Sequence, residues 1–287
     1  MHEANTTKFR SLISVLMTAY NREQYISEAI ESVLSSTYQN WELIIVDDRS
    51  NDNTITIAKS YAVKDERIKV YVNERNLGDY SNRNNAASFA TGKFLKYLDS
   101  DDTLYPEGLE IMVDFMERFP EAHWGITNFL PRINEQDLPL SFEKKQAYEF
   151  HYFKHPIFFA SPGQVIMTKQ SFDAVGGFGT RRMVSDFEMW HKLAAYSNVV
   201  LMPGKMVNIR EHEGRELSDQ NEFAVGYERI KLRFLNDENC PLSSKQRNMV
   251  KSSRRNTAFK IAIRKLLKLQ IDEAIPRLKV AWFYLWN

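Results

Sequence analysis

Cysteine is nearly missing from this chain. Its 287 residues contain one, Cys240, so no internal disulfide can form and the chain suits a reducing compartment. Long apolar runs are missing too: the opening MHEANTTKFR lacks the hydrophobic stretch of a secretory signal, and no run approaches the ~20 residues of a membrane span. These absences predict a cytoplasmic protein, free or peripheral on the cytosolic face of a membrane. Several chemistries lack their signatures as well. There is no Gly-x-x-x-x-Gly-Lys-Ser/Thr phosphate loop, no Gly-x-Gly-x-x-Gly, no Cys/His zinc spacing and no Gly-x-Ser-x-Gly elbow. Net charge names no partner either, since 38 Lys+Arg face 37 Asp+Glu. The distribution is uneven, with carboxylates gathered early and bases late.

What is present is a 43% hydrophobic chain, long enough to bury a substantial core. From Leu12 it alternates between two periodicities. Leu12–Ala19, Trp41–Val46, Ile68–Val72 and Phe94–Leu98 are short apolar runs that predict strands. Between them, Glu23–Ser36 carries Ile26, Ala29, Ile30, Val33 and Leu34 at helical spacing, and Thr54–Ala62 and Asp79–Ala90 also read as helices. Pro106 opens a further helix to about Arg118. Strands separated by such helices predict a parallel sheet with right-handed crossovers, and ligands bind such sheets at the carboxyl ends of the strands. Those ends carry Tyr20-Asn21, Asp47-Asp48 and Asp99-Ser100-Asp101, so three polar clusters are expected around one crevice. Farther on, Asp186–Tyr196 predicts a helix, and Val199–Met202 and Val207–His212 predict strands.

Seven motifs occur in order: TAYN (Thr18–Asn21), VDDRSNDNT (Val46–Thr54), NLGDYSNRNNA (Asn76–Ala86), YLDSDD (Tyr97–Asp102), VGGF (Val175–Phe178), SDFEMW (Ser185–Trp190) and REH (Arg210–His212). Each is weak alone. Together, over about residues 11 to 218, they resemble the family-two glycosyltransferases, which are inverting nucleotide-sugar transferases. The resemblance implies the GT-A fold, a Rossmann-like, mostly parallel sheet flanked by helices. It places a catalytic domain at 1–218, with a nucleotide-binding half at about 11–105 and an acceptor half at 106–218. Residues 219–287 read as a helical, basic C-terminal extension.

Asp99 and Asp101 leave a strand as alternate residues, so both can face one ligand. Carboxylates alone would repel a nucleoside diphosphate. A divalent cation, Mn²⁺ or Mg²⁺, is therefore expected between them. The resemblance implies that Asp101 holds this metal, that Asp99 lies by the ribose or a water on the metal, and that Ser100 is among the donor-binding residues. It assigns Asp48 to the nucleobase, often uracil, and Thr18, Tyr20 and Asn21 to the same end of the donor. Arg83 is implied to touch the nucleotide and Asp99, His212 to complete the metal site, and Arg210 to contact the diphosphate. Asp186 is implied to be the catalytic base, with Ser185 standing where the family has a second acidic residue. Each assignment has a plainer structural competitor. Asp48 and Asp186 could cap helices, Asn21 could cap the helix that follows it, and Arg83 and His212 could face solvent. Gly78 reads as a turn residue, Gly214 and Arg215 fit a closing loop, and His2, His123, His151, His155 and His191 have no committing pattern.

The implied partners are a nucleotide-sugar donor, UDP-linked for preference, and a glycan or lipid-linked acceptor in cell-surface polysaccharide synthesis. A nucleotidyltransferase is the enzymatic alternative, but Thr18–Arg22 lacks its Gly-rich basic loop. A non-catalytic nucleotide-sugar-binding or scaffold protein is the alternative from another class. Between Ser243 and Ile271 there are nine Lys/Arg and no acidic residue, and the chain ends in Trp282, Phe283, Tyr284, Leu285 and Trp286. That mixture suits an interfacial helix on anionic lipid. Helices packed back on the catalytic domain, or a homodimer interface, would use the same residues. Nucleic acid is not an expected partner, because no recognition motif accompanies the charge.

Overall fold

The computed structural model describes residues 10–127, 134, 138–204, 206–212 and 220–286. The chain opens with β1 (Ile13–Ala19), α1 (Ile26–Leu34), β2 (Trp41–Asp47), α2 (Thr54–Ala62), β3 (Ile68–Val72), α3 (Asp79–Ser88) and β4 (Phe94–Tyr97). It continues through β5 (Thr103–Leu104), α4 (Gly108–Arg118), β6 (Ala122–Thr127), β7 (Leu140–Phe142), α5 (Lys144–Phe153), β8 (Val165–Thr168), α6 (Lys169–Ala174), α7 (Ser185–Tyr196), β9 (Asn198–Met202) and β10 (Val207–Asn208). Three helices follow: α8 (Gln220–Asn236), α9 (Ser244–Leu267) and α10 (Ile271–Trp286).

Eight strands form one sheet in the order β3-β2-β1-β4-β8-β6-β9-β7, and β5 pairs with β10 beside it. The first four strands are parallel to one another, as expected. The sheet is mostly parallel, as the family resemblance implied, and its exceptions lie later in the chain: β8 runs antiparallel to both β4 and β6, and β7 antiparallel to β9. The crossover through α4 skips one strand position, and β8 fills that gap from the opposite direction. The fold is mixed α/β, a mostly parallel sheet flanked by helices.

The apolar runs are continuous because the sheet is covered on both faces. In β2, Ile44 and Val46 enter one buried core, while Leu43 and Ile45 enter the other. Each one-residue step along the strand changes the face, so both sets must be apolar. The strand expected over Val207–His212 ends at Asn208; Ile209 and Arg210 then line a cleft.

The C-terminal helices pack back on the body and on each other. Tyr227 of α8 donates its hydroxyl proton to the Met183 carbonyl at 2.7 Å, just before α7, and Arg233 pairs with Glu188 of α7 at 2.7 Å. Leu232, Ala258, Val280, Ala281 and Tyr284 form a small core among α8, α9 and α10. At its centre Glu228, 4% exposed, accepts from Lys231 Nζ at 2.8 Å, from Tyr284 Oη at 2.8 Å and from the Arg254 guanidinium. Among the described residues no helix is long and apolar enough to cross a membrane.

Candidate active site

The carboxyl ends of β1, β2 and β4 open into one cleft of about 710 Å³. Thr18, Tyr20, Asp48, Arg83, Asp99, Ser100, Asp101 and Arg210 all line it, although they come from five separate stretches of chain. Ser161 and Pro162, immediately before β8, and Arg182 and Met183, before α7, form the opposite wall. Because β8 is antiparallel to β4, its beginning lies at the end of β4, which brings the later half of the chain to the carboxylates.

Asp48 is 3% exposed, and its carboxylate is already engaged. Oδ1 accepts from Asn73 Nδ2 at 2.7 Å and the Leu77 amide at 2.8 Å, and Oδ2 accepts from the Gly78 amide at 2.9 Å. The residue therefore clamps the loop into α3 and caps no helix at Ser50–Thr54; Asp47 turns away and holds Ser50. Gly78 has φ +82°, a conformation that glycine adopts without steric cost. Tyr20 is 44% exposed at the mouth, open for stacking. Asn21 does not line the cleft. It sits at φ +52°, accepts from the Asn51 amide and donates its own amide to Ser50, so it joins the β1 and β2 ends. It does not cap α1 either, because that helix begins at Ile26 after Tyr25.

Arg83 is buried, not solvent-facing. Its Nε donates to Asp79 at 2.8 Å and its Nη2 lies 2.7 Å from Asp99 Oδ1, while Nη1 is buried with no hydrogen-bond partner among the described residues. Burial opposes its charge, but Asp79 and Asp99 outweigh that cost and hold the pKa above its ordinary value. An orphaned, charged donor in a polar cleft is placed to meet an anion.

Asp99, Asp101 and Asp102 bring carboxylate oxygens within 4.8 Å of one another, a donor set of hard oxygens suited to Mg²⁺ or Mn²⁺. His212 does not line the cleft itself, but its Nε2 lies 3.2 Å from Asp101 Oδ2. The His212 ring packs on Tyr25, with centroids 4.5 Å apart. Arg22 Nε donates to the same Asp101 oxygen at 3.0 Å. Arg210 donates its backbone amide to Asp102 at 2.9 Å, and its guanidinium reaches Glu28 at 2.9 Å.

Asp186 is the second residue of α7 rather than its cap, which is Val184. It lies behind the cleft wall, half-buried, and accepts from the Phe187 amide at 2.6 Å and from the Tyr80 hydroxyl. Burial pushes its carboxyl up to about 6, against the pull of that amide and of Arg83. Tyr80 lines the cleft and Asp186 does not, so the carboxyl stands behind the tyrosine. Asn84 fixes the junction by bracketing Phe178: its side chain accepts from the Phe178 amide and donates to the Phe178 carbonyl, both at 2.9 Å. Ser185, in the place of an acidic residue, is fully buried and donates to the Arg181 carbonyl at 2.7 Å. Gly214 and Arg215 lie outside the described residues.

Three contributors were not singled out from the sequence. Asp102 belongs to an acidic run whose members cannot be ranked by type alone. Arg22 follows a motif without being part of it. Lys96 was detectable as a lysine inside the apolar FLKYL; it is fully buried and donates to the carbonyls of Tyr97 and Gly163, pinning the turn before β8 to the end of β4. Burial lowers its pKa to about 7, against the attraction of Asp99 and Asp102.

The model of the family described as Glycosyl transferase family 2 matches residues 14–184. Over 105 residues, 37% of this chain and 41% of its own length, the Escherichia coli UDP-Glc:alpha-D-GlcNAc-diphosphoundecaprenol beta-1,3-glucosyltransferase WfgD is 44% identical. The matched segments span about two fifths of the length of the curated relatives. Among solved structures, Staphylococcus aureus TarS 1–349 in complex with UDP-GlcNAc superposes with a TM-score of 0.67 at 22% identity, over 83% of this chain and 70% of that one. The mannosyltransferase PcManGT from Pyrobaculum calidifontis, in complex with GDP-Man and Mn²⁺, gives 0.63 at 14% identity, over 97% and 88%. At these identities the structural likeness establishes the fold.

Proposed function

Since the chain belongs to glycosyl transferase family 2, we propose that it moves one sugar from a nucleoside-diphosphate donor, UDP-linked for preference, to a glycan or lipid-linked saccharide. Transfer inverts the anomeric carbon and serves cell-surface polysaccharide synthesis. One observation carries this reading: donor-side residues from five separate stretches line a single cleft, next to a three-carboxylate cluster. The nature of the WfgD substrates and the nucleotide sugars held by TarS and PcManGT support the same class of chemistry. The catalytic unit is assigned to 1–218 and the helical extension to 219–287.

In this reading the base lies between Tyr20 and Asp48, and the ribose lies by Asp99 and Ser100. Arg83 Nη1 and Arg210 face the diphosphate. Asp101, together with Asp99, Asp102 and His212, would hold Mn²⁺ or Mg²⁺; when bound, the ion neutralises the diphosphate and stabilises it as the leaving group. Asp186 takes the proton of the acceptor hydroxyl as it attacks the anomeric carbon. A carboxyl poised near 6 is ionised at neutral pH and is more basic than an ordinary aspartate, which suits proton abstraction. Tyr80 and the Phe187 amide hold it in place.

The buried Ser185 favours one competitor, a nucleotide-sugar-binding scaffold without turnover. A nucleotidyltransferase is disfavoured by the absence of a Gly-rich basic loop after β1. Incubation with a panel of UDP-sugars, Mn²⁺ and lipid-linked acceptors separates the readings. Release of UDP coupled to an inverted glycosidic product is expected. Tight donor binding with no UDP release would leave the scaffold, and release of pyrophosphate would leave the nucleotidyltransferase.

A further inference from the structure

The α9–α10 hairpin carries an exposed apolar face. On α10, Ala274, Ala281 and Tyr284 are buried against its neighbouring helices, whereas Ile271, Ile275, Leu278, Trp282 and Leu285 are exposed. Their spacings of four, three, four and three residues align them in one stripe along the helix. On α9, Ile263, Leu266 and Leu267 are exposed around the edge from the buried Ala258 and Ala262. Both stripes lead into the turn between the helices, where Leu267 is 80% and Leu269 86% exposed. Leu269 sits at φ +57°, where glycine would end a helix at less steric cost. A leucine there presents a large apolar side chain at the very tip.

The charge around this face selects its occupant. Nine Lys/Arg and no acid lie between Ser243 and Ile271, and Lys260, Arg264, Lys268 and Lys279 are exposed near the stripes. Of the acids at the start of α10, Glu273 is paired with Lys265 at 2.6 Å. A second copy of the same face would bring two positive surfaces together, a repulsive arrangement. An anionic lipid surface offers both an apolar layer for the leucines and tryptophan and a negative layer for the bases.

We propose that the α9–α10 hairpin is a membrane-docking element that lays its exposed apolar face into an anionic phospholipid surface. The hairpin is tied to the cleft wall through α8, by the Glu228 cluster at one end and the Tyr227–Met183 hydrogen bond at the other. Docking would therefore hold the acceptor side of the cleft at a fixed attitude to the bilayer. This assignment is independent of the transfer chemistry.

Sedimentation of the full chain with two vesicle types tests it: phosphatidylcholine alone, and phosphatidylcholine with phosphatidylglycerol. Binding to the second type, weakened by salt, is expected. The Leu267→Glu, Leu269→Glu double variant should lose at least tenfold in partitioning, and Lys268→Glu on the order of fivefold or more. Both should keep the parent circular dichroism and nucleotide affinity, because the altered side chains are exposed. Equal sedimentation of parent and double variant, or no sedimentation of the parent with either vesicle, would overturn the proposal. So would a parent dimer in solution that the double variant converts to a monomer, since the face would then belong to a second copy.

Discussion

Asp101 Oδ2 and His212 Nε2 are 111 positions apart in the chain and 3.2 Å apart in space. The contact joins the end of β4 to the segment after β10, and Arg22 holds the same oxygen from a third direction. If this carboxylate is the principal metal ligand, Asp101→Ala should abolish Mn²⁺-dependent binding of UDP and leave the fold intact. Titration calorimetry with and without Mn²⁺ checks this. Unchanged metal-dependent affinity would remove Asp101 from that role.

Asp186→Asn should abolish transfer and spare donor binding. Asn keeps the size and still accepts from the Phe187 amide, but it cannot take a proton. A general base contributes typically ~10²–10⁴ in rate, so the loss should fall in that range with an unchanged donor Kd. In the parent, the rate should rise with pH through about 6 and level off above it. The linkage to stability has the opposite sense. A folded pKa raised above the unfolded value means that ionised Asp186 costs stability at pH above 6, so the Asn variant should melt no lower than the parent at pH 8. Turnover within a few-fold of the parent would direct attention to Glu188 or Glu211.

Arg83→Met should weaken both the fold and the nucleotide site. It leaves Asp79 and Asp99 facing each other without the cation between them, at a cost on the order of 2 kcal/mol. Denaturant unfolding should show that loss, and UDP affinity should fall with it. Arg83→Lys should recover part of the stability but little of the affinity, because the one nitrogen of an ammonium does not span the separate positions that Nε, Nη1 and Nη2 of the guanidinium occupy.

Glu228→Gln should loosen the C-terminal helices. It removes the charge that Lys231 and Arg254 share, for a loss on the order of 3 kcal/mol. Burial alone would raise the Glu228 pKa, but these partners bring it down to about 2. A folded pKa below the unfolded one gives stability that is complete above about pH 5 and is lost as pH falls through 4 towards 2. Hydrogen exchange of α9 and α10 should rise in the variant at neutral pH, and in the parent only in acid.

Much of the stretch from β1 to β4 was legible because its strands are short, β-rich runs buried on both faces and separated by helices with an apolar stripe. Ile68–Val72 and Thr54–Ala62 coincide with β3 and α2. In the later half, α7 and β9 were legible too, whereas β7, β8 and α5 were not. VIMT of β8 is four residues with no alternation to betray its direction, LSF of β7 is shorter still, and α5 is crowded with aromatics that hide its period. Side-chain roles were legible where the residue type is demanding. Arg83 beside Asp99 was implied by the family resemblance and is met in the structure, whereas Asn21 could not be separated from a ligand contact without knowing which loop lay opposite.

The pairing of β4 with β8 also bears on how the molecule acquires its shape. The strands β1 to β4 meet through neighbouring βαβ units, which close comparatively short loops. Phe94, Leu95 and Lys96, by contrast, must find Thr168, Met167 and Ile166, 70 to 74 positions along the chain. Contacts of such separation carry a larger loop-closure cost and are slow to form. During refolding, the β1–β4 layer should therefore gain hydrogen-exchange protection before β8 docks. Thr18, Asp48, Arg83 and Asp99 all belong to the β1–β4 layer, while Ser161 leads into β8 and Asp186 and Arg210 follow it. The two walls of the cleft thus mature at different times, and nucleotide affinity should return to a refolding chain earlier than turnover does.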